Sequence, residues 1–566
     1  MKKPSVAPTQ AARVPECSAP TRQTIFHRDR ARLSLAPWVI SLGVLLVYLS
    51  FPTRNYYWDG IDFALAIENP TGLSRALIHP HHLLYNACGF FLYHVVNATG
   101  WHVRAVHILQ VTNSILSALC AGLLFRLLRS ASGSIFLSSL LTLLFSFSAT
   151  WWKYSIDADA YVPGLFFLLV CLSLVLTARK RRPFLAALAH ASSMCLHQLA
   201  VFFYPVVVLG MWRQSSQLSL RERVWPILQY SGTAACVTLA AYYLCFHLQT
   251  GRFNLPAFAV WLTTYLHGPH SYSFSFDLWH NIVYTLRGHV RLFFGGRLNW
   301  LEGLISLPVA VLIGLLLIMI VLSVVRLIQG AKEITWKAGT APDAEGRFKS
   351  LAAICLLWAG VYLLFLFFWY PHFTPYRVFY LPALILLAGI ALARYELLNT
   401  AARRQSAVML VAAVALSNFL FFIFPLSHPQ KYPPLSLALE VERAWPPGTV
   451  IYYLAHSADS KLFKYFNPST TWRELGAGAV GVREDELEEI YRNAGTAWVE
   501  TSALDYLQSS PEGAKWLAEH IREGRCYELV NHAYRIRFIQ LFPRGYPAQP
   551  SETPMRMAHV SENPFK

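Results

Sequence analysis

The sequence predicts a mainly α-helical, polytopic membrane protein with a small extracytoplasmic α/β domain near its C-terminal end. Hydrophobic residues make up 55% of the 566 residues and charged residues only 14%, whereas soluble proteins carry about 25% charged residues. Apolar windows long enough to cross a bilayer recur from Leu35 to Leu426. Beyond a proline-rich linker, Ser427–Pro434, short strand-like and helix-like segments alternate. These observations exclude a soluble globular enzyme.

About eleven membrane spans are predicted, which form a bundle over residues 35–426. The first span, 35–51, follows a polar basic tail (1–34) and is interpreted as an uncleaved signal anchor, because no small-residue cleavage site follows it. The stretch Phe184–Trp212 carries His197 near its middle and is interpreted as a tight pair of helices. The other predicted spans are 105–128, 133–150, 161–178, 226–248, 304–325, 351–370, 377–393 and 406–426.

Basic residues orient the predicted bundle. Lys and Arg near span ends are retained in the cytoplasm, and their clusters share one side if His82–Val96 is an interfacial helix that does not cross. The net charge of +17 is therefore a topological signal, and no nucleic-acid partner is indicated. This topology predicts a bacterial inner-membrane protein with a cytoplasmic N-terminus. The outward segments are the loops 52–104, 151–160 and 249–303, the α/β domain 427–545 and a disordered tail, 546–566.

The predicted α/β domain contains three strand-like and three helix-like segments. The strand-like segments are Thr449–Leu454, Ala497–Thr501 and Tyr534–Phe542. The helix-like segments are Lys461–Phe466, Glu484–Asn493 and Gly513–Arg522. Nothing in these segments identifies a ligand.

Two carboxylates in the first outward loop are candidate catalytic groups. Asp59 and Asp62 lie three residues apart at a glycine-containing turn that enters a helix, so they project from nearly the same face. Partial burial at the membrane interface would raise their pKa values toward neutrality, as a general base requires. The alternative is that Asp59 caps the helix and Asp62 is a first-turn carboxylate favoured by the helix dipole.

A second acidic cluster, Asp157 and Asp159 shortly before Tyr161, lies in a short loop on the same predicted side. The four carboxylates could hold a divalent cation together with the histidines of the first loop, His79, His81 and His82. Oxygen ligands would favour Mg²⁺ or Mn²⁺. The alternative is that these carboxylates are hydrogen-bonded loop residues.

Further binding candidates lie at the outward ends of later spans. His197 lies at the break of the predicted helix pair, and it is either a packing residue or faces the aspartates. Arg377, close to Tyr380, stands among Pro and Tyr residues where a lipid phosphate would lie, although snorkelling of its side chain is the alternative. Arg291 belongs to an aromatic and His-rich outward loop, which equally fits an interfacial belt.

In this order, the motifs resemble the GT-C superfamily of polyprenyl-phosphate-dependent glycosyltransferases, of the protein O-mannosyltransferase and aminoarabinose-transferase type. The match covers roughly residues 35–400, and the chain departs from the family where Pro80 is followed by two histidines. The residues that carry the resemblance are Asp59, Asp62, His79, Pro80, Tyr85, Asp159, Tyr161, His197 and Arg377.

The resemblance implies an inverting transfer of a hexose or pentose. A first-loop aspartate, Asp59 in preference to Asp62, would act as the general base. Arg377, together with a cation held by Asp157 or Asp159, would stabilise the departing lipid phosphate. Donor binding would also involve His79, His82, Tyr85, Asp159, Tyr161, His197, Tyr380 and Arg291. The expected partners are a polyprenyl-phosphate sugar, membrane lipids and an extracytoplasmic glycan, lipid or protein acceptor.

Two alternative functions share this architecture. A transporter or flippase for lipid-linked glycans would show related halves and broken spans near the middle of the membrane, and no such halves are detected. A non-catalytic envelope-assembly protein would leave the loop aspartates dispensable.

Overall fold

The structure is a computed structural model of the chain. It describes residues 35–70, 77–177, 181–215, 218–264, 274–296, 307–332, 342–441, 445, 448–454, 458–476, 482–531 and 534–545. The predicted tails, 1–34 and 546–566, lie outside these residues, as do parts of the outward loop 249–303.

The first half of the described chain is almost entirely helical. Its helices are α1 (Ala36–Ser50), α2 (Trp58–Glu68), α3 (Tyr85–Ala98), α4 (Ala105–Ser132), α5 (Ile135–Ser146), α6 (Ala149–Ser155), α7 (Tyr161–Leu176), α8 (Pro183–Leu196), α9 (Tyr204–Gln214) and α10 (Leu220–Thr250). Short 3₁₀ helices at Pro80–His82 and Gln198–Phe203 precede α3 and α9.

The helices continue to the linker, where the α/β region begins. They are α11 (Leu255–Leu262), α12 (Leu278–Phe293), α13 (Leu307–Lys332), α14 (Pro342–Trp369), α15 (Leu381–Arg394) and α16 (Ala401–Asn418). A 3₁₀ helix, Pro375–Phe379, precedes α15. After α16, a π-helical turn at Phe419–Ile423 leads into one last turn that ends at Leu426, and a 3₁₀ turn at Pro429–Lys431 follows.

Several of these helices fit a bilayer. Within the described residues, five are long and apolar enough to cross a membrane: Ala105–Ser132, Leu220–Thr250, Pro308–Gln329, Phe348–Trp369 and Ala401–Leu426. Shorter apolar helices are Ala36–Ser50, Tyr161–Leu176, Pro183–Leu196 and Leu381–Arg394. The predicted polytopic helical class is confirmed, and the count of about eleven spans stays a prediction.

One predicted span is broken. The segment predicted as a single helix over 133–150 is two helices, α5 and α6, bent by 69° relative to each other. The bend lies at Phe147–Ser148, where the Ser148 hydroxyl donates to the Phe145 carbonyl oxygen and so competes with the helical hydrogen-bond pattern. Residues 151–155, predicted as loop, are consequently helical, and the loop proper is limited to 156–160.

The helix pair predicted at Phe184–Trp212 is present as α8 and α9. His197 has extended backbone angles between α8 and the 3₁₀ helix that follows. The run predicted to be interfacial is not among the helices apolar and long enough to span; it forms the turn Pro80–His82 and α3.

The C-terminal region is a five-stranded mixed sheet with helices. The strands are β1 (Val450–Leu454), β2 (Thr471–Leu475), β3 (Ala497–Glu500), β4 (Ile521–Asn531) and β5 (Tyr534–Pro543), in the spatial order β2-β1-β3-β5-β4. β1 pairs in parallel with β2 and β3, whereas β5 is antiparallel to β3 and β4. The helices are α17 (Pro433–Val441), α18 (Ala458–Phe466), α19 (Glu484–Asn493), α20 (Thr501–Gln508) and α21 (Pro511–His520).

This sheet does not stand apart from the bundle. One apolar cluster joins Ile61, Phe63 and Ile67 of α2 to Phe463 of α18 and Phe538 of β5. All five side chains are buried. Helix α2, in the first of the loops predicted to face outward, is therefore sandwiched between the helical bundle and the α/β region, and this position determines the surroundings of its aspartates.

Candidate functional site

The two first-loop aspartates lie on α2. Asp59 is in its first turn, and Asp62 follows one turn later, on the same side of the helix. Burial, followed by the charge of Asp62, raises the pKa of Asp59 to about 7, although the ammonium of Lys461 opposes the shift. A carboxylate with this pKa is half ionised near neutrality, as a general base requires.

Asp62 differs from Asp59 in having a cation partner. Its Oδ2 atom lies 2.7 Å from the Nζ atom of Lys461, which belongs to α18. Burial raises the pKa of Asp62, and the ammonium of Lys461 opposes that shift. The two carboxylates are thus distinguished by their surroundings: Asp62 forms an ion pair, and Asp59 has the near-neutral pKa.

The loop between α6 and α7 packs directly under the start of α2. A Cβ atom at Gly60 would lie 2.5 Å from the carbonyl oxygen of Ala158, so only glycine permits this approach. The side-chain amide of Asn113, in α4, donates to the carbonyl oxygens of Asp157 and Asp159, each at 2.7 Å. These contacts bring both predicted acidic clusters to one place.

Asp157 is a structural member of this loop. It is fully buried, and its Oδ2 atom lies 2.5 Å from the Lys153 ammonium and accepts a hydrogen bond from the Tyr57 backbone N–H at 3.0 Å. Its Oδ1 atom accepts from the N–H of Ala158 at 2.9 Å. Both oxygens are therefore engaged within the protein.

Asp159 retains hydrogen-bonding capacity. It is 1% exposed, its Oδ1 atom accepts from the Tyr161 N–H at 3.1 Å, and its Oδ2 atom is buried without a hydrogen-bond partner among the described residues. Burial, followed by the charges of Asp59 and Asp157, raises the pKa of Asp159 well above its ordinary value. These surroundings favour the protonated carboxyl at Asp159, and a protonated Oδ2 can donate to a ligand.

Four histidines line the adjoining space: His81, His82 and His197 are buried, and His79 is half-buried. The His82 and His197 ring centroids are 4.9 Å apart, those of His79 and His82 are 5.7 Å apart, and those of His81 and His197 are 6.1 Å apart. Burial lowers the pKa of His79 to about 4 and of His81 to about 3 and brings that of His82 well below its usual value. These three first-loop rings are therefore neutral at physiological pH.

His197 faces this space with one free nitrogen. Its Nδ1 atom accepts from the Leu199 N–H at 3.2 Å, so the proton of the neutral ring is on Nε2. Nε2 is buried and has no hydrogen-bond partner within the described chain. The ring also contacts Tyr161, with centroids 5.2 Å apart. Tyr85 closes the first-loop side through an edge contact with Phe63 at 5.0 Å.

The predicted cation site has few available ligands. Among the described residues, no group of three or more His, Cys, Asp or Glu side chains is arranged to hold a metal ion. The carboxylate of Asp157 is occupied by Lys153, which leaves Asp159 to contribute Oδ2. A divalent cation at Asp157 and Asp159 stays a prediction.

Arg377 is buried more deeply than the sequence suggests. It is 1% exposed, and its guanidinium donates to the carbonyl oxygens of Phe373 at 2.9 Å and Pro371 at 2.6 Å. It packs against Gly288 of α12, where a Cβ atom would lie 2.4 Å from the Arg377 Cζ atom. Snorkelling into water is therefore excluded, and the buried Nε atom is without a hydrogen-bond partner in the described residues.

The remaining candidates flank Arg377. The Tyr380 hydroxyl is 3.0 Å from Nε2 of His289, whose Nδ1 atom lies 2.8 Å from the Thr285 carbonyl oxygen. Nδ1 therefore donates to that carbonyl oxygen, and Nε2 accepts from Tyr380. Arg291 lies on the same helix, α12, but is exposed.

Sequence reasoning assigned no role to three residues that organise this site. Asn113 could have been recognised from the sequence, because a polar side chain inside an apolar span costs free energy unless it has a function. Lys153 lies within the acidic motif, four residues before Asp157, the spacing of a helical ion pair. Lys461 left no local signal, because it is 399 residues away from its partner, Asp62.

The fold is similar to solved membrane proteins. The crystal structure of ArnT from Cupriavidus metallidurans bound to undecaprenyl phosphate matches with a TM-score of 0.56 and 10% identity, over 89% of this chain and 97% of that chain. Its apo state scores 0.46 at 13% identity, over the same shares of the two chains. The Archaeoglobus fulgidus oligosaccharyltransferase complex with Zn and sulfate scores 0.43 at 10% identity, over 89% and 73%.

No family model matches the sequence, and no curated protein matches it. The match to ArnT, a GT-C glycosyltransferase, shows that the chain has the GT-C fold. The fold expected from the order of the sequence motifs is therefore confirmed.

Proposed function

We propose that this protein is an integral membrane glycosyltransferase that transfers a sugar from a polyprenyl-phosphate-linked donor to an extracytoplasmic acceptor. The observation that carries the proposal is the position of Asp59. Its carboxyl, with a pKa near 7, lies where the first loop, the loop 156–160 and the α/β region meet on a GT-C fold. The ArnT structure of the same fold holds undecaprenyl phosphate, which supports this class of donor carrier.

In the proposed reaction, the ionised Asp59 accepts the proton of the acceptor hydroxyl. The acceptor oxygen attacks the anomeric carbon as the bond from that carbon to the phosphate oxygen breaks, and the polyprenyl phosphate leaves with both electrons of that bond. Attack from the face opposite to the leaving group inverts the anomeric configuration. A positioned general base contributes typically about 10²–10⁴-fold to such a step.

Uncharged hydrogen-bonding groups lie where the sugar donor would bind. The Asp159 carboxyl, whose surroundings favour the protonated form, and the Nε2–H group of His197 are both buried, and each has an atom without a hydrogen-bond partner among the described residues. Groups of this kind can bind sugar hydroxyls or phosphate oxygens without adding charge, and a buried donor left without a partner costs about 1–3 kcal/mol. Binding the donor would recover that cost. His79, His82, Tyr85 and Tyr161 would shape the same surface.

The leaving phosphate requires positive charge or strong hydrogen-bond donors nearby. We assign this role to Arg377, whose charge lies in a buried setting where electrostatic interactions are strong. Tyr380 and the exposed Arg291 flank Arg377. A divalent cation at Asp159 would supply further charge when bound, and no step of the proposal depends on it.

The test uses purified full-length protein in proteoliposomes. Undecaprenyl-phosphate-linked hexoses and pentoses are supplied as donors, with a bacterial envelope fraction as the source of acceptors. Release of undecaprenyl phosphate and transfer of labelled sugar are then measured. We expect Asp59→Asn to lose at least about 100-fold in rate and Asp62→Asn to be impaired as well, whereas the exposed Asp505→Asn retains activity.

Two results would contradict the proposal. Movement of the lipid-linked sugar across the bilayer without release of undecaprenyl phosphate would indicate a flippase. Full activity in Asp59→Asn would show that Asp59 is not the catalytic base, and full activity in Asp62→Asn as well would place the base outside the first loop.

A further inference from the structure

Helix α18 of the C-terminal region runs along α2 and holds it at two points. The Lys461 ammonium pairs with Asp62 at 2.7 Å, and the Tyr465 hydroxyl donates to Oε1 of Glu68 at 2.6 Å. Lys461 and Tyr465 are four residues apart and therefore lie on one face of α18. Their partners are Asp62, one turn from the start of α2, and Glu68, at its end. A single face of α18 therefore holds α2 in position from Asp62 to Glu68.

A third segment locks the far end of α2. Arg104, immediately before α4, binds Glu68 through its Nε atom at 2.9 Å, and its Nη2 atom donates to the Tyr465 carbonyl oxygen at 2.6 Å. Its guanidinium also lies 3.9 Å from the centre of the Tyr465 ring. The bundle, the first loop and the C-terminal region therefore meet at Glu68.

Apolar packing lies behind these polar contacts. Leu462 and Phe463 of α18 are buried in the same cluster as Ile61 and Ile67 of α2, and the Tyr56 and Phe466 rings stack with centroids 5.9 Å apart. Packed interiors transmit small displacements because they contain few voids. Asp59 is therefore held in place from the C-terminal side as well as by the loop 156–160.

We propose that the C-terminal region completes the catalytic site through α18, and that Lys461 is a positioning residue for the reaction. This inference rests on the proposed glycosyltransferase function. Lys461 holds Asp62 in an ion pair and so leaves Asp59 as the carboxylate that takes the acceptor proton. Without that ammonium, two carboxylates one helical turn apart would repel each other, and α2 would lose its tie to α18.

Lys464 provides the matched control within α18. It is three residues from Lys461 and contacts the C-terminal sheet instead, with its Nζ atom 3.4 Å from the Tyr453 hydroxyl. Lys464→Met removes an ammonium from the same helix. The Lys464 charge also acts on Asp62, more weakly than that of Lys461, but the hydrogen bond that is lost is to Tyr453 and not to α2. It therefore controls for a general effect of charge loss on the folding of the region.

The experiment measures kcat and donor KM in proteoliposomes for Lys461→Met, Lys461→Gln, Lys461→Arg and Lys464→Met, with whichever undecaprenyl-phosphate sugar the wild type turns over. We expect kcat to fall about tenfold or more in the Met and Gln variants with donor KM within twofold. Lys461→Arg should retain most of the wild-type kcat, and the kcat of Lys464→Met should match that of the wild type. An unchanged kcat in both Lys461→Met and Lys461→Gln, or an equal loss in Lys464→Met, would overturn the inference.

A second measurement separates this inference from the proposed function. Hydrogen–deuterium exchange over residues 57–68 should be faster in Lys461→Met than in wild type and Lys464→Met, because α2 loses one of its ties. If the wild type transfers no sugar, the glycosyltransferase proposal fails, whereas unchanged exchange in Lys461→Met would show that Lys461 does not position α2.

Discussion

Gly60, near the start of α2, lies directly on the backbone of Ala158 in the loop 156–160. A Cβ atom at position 60 would stand 2.5 Å from the Ala158 carbonyl oxygen and 3.2 Å from its Cβ atom. The carbonyl oxygen of Ala158 belongs to the backbone, so it cannot rotate away as a side chain could. This contact sets the distance between Asp59 and the loop that carries Asp157 and Asp159.

Gly60→Ala should therefore impair catalysis more than folding. The added methyl group must push the start of α2 away from the loop 156–160, and a displacement of about 1 Å at a catalytic group can cost about 100-fold in rate. Steady-state sugar transfer and the thermal unfolding temperature of the detergent-solubilised protein measure the two effects.

Gly43→Ala is the matched control, because a Cβ atom at that position of α1 meets no atom within 4 Å. It should retain wild-type activity. Wild-type activity in Gly60→Ala would show that the close approach of the two loops is not needed for the reaction.

The acidic loops could be recognised from sequence because their motifs are local. Asp59, Asp159 and His197 each lie next to a break in an apolar run, and a common outward side follows from the basic loops alone. In the structure, Asp59 lies close enough to Asp159 for their charges to interact, and His197 packs against Tyr161, which follows Asp159. In the α/β region, Glu484–Asn493 is a helix with the predicted bounds.

Other features depended on information that no local pattern contains. The strand Thr471–Leu475 was not predicted, because its polar centre at Arg473 and Glu474 hides the alternation expected of a half-buried strand. The bend at Ser148 lies inside an apolar window that fits one continuous span. The ion pair of Lys461 with Asp62 exists only once distant parts of the chain have packed.

The pKa of Asp59 predicts the pH dependence of the reaction. A general base must be ionised, so kcat/KM should rise with pH, nearly tenfold per unit below about pH 7, and level off above it. An ordinary aspartate would give a plateau from about pH 5 upward. A pH–rate profile between pH 5 and 9 checks this, and a flat profile above pH 5 would exclude Asp59 as the base.

Asn113→Leu should loosen the acidic loop. The substitution keeps the approximate size of the side chain but removes the two hydrogen bonds to the carbonyl oxygens of Asp157 and Asp159. Each buried acceptor left unpaired costs about 1–3 kcal/mol, so the unfolding temperature should fall together with activity. Thr112→Val is the control, because the Thr112 hydroxyl donates to the Ile108 carbonyl oxygen of its own helix. An equal effect in both variants would contradict the role of Asn113.

Gly288→Ala tests the setting of Arg377. A Cβ atom there would lie 2.4–2.7 Å from Cζ, Nε and Nη2 of the guanidinium, which is held by the carbonyl oxygens of Phe373 and Pro371. Moving it would break these bonds and shift the charge assigned to the leaving phosphate. We expect a lower kcat with undecaprenyl-phosphate sugar. Gly314→Ala, which meets no atom within 4 Å, should be unaffected, and normal kcat in Gly288→Ala would argue against Arg377.

Asp59→Asn should stabilise the protein while it abolishes activity. The folded-state pKa of about 7 lies above the ordinary value of 3.8, so the folded state favours the protonated carboxyl. Stability from this group is fully present below about pH 4 and is lost as the pH rises through 7. Asparagine removes the free-energy cost of an ionised carboxylate at this buried position. The unfolding temperature of Asp59→Asn should therefore exceed that of the wild type by more at pH 8 than at pH 5. The exposed Asp505→Asn should show no such pH-dependent gain, and a gain that is equal at the two pH values would show that Asp59 does not have a raised pKa in the folded protein.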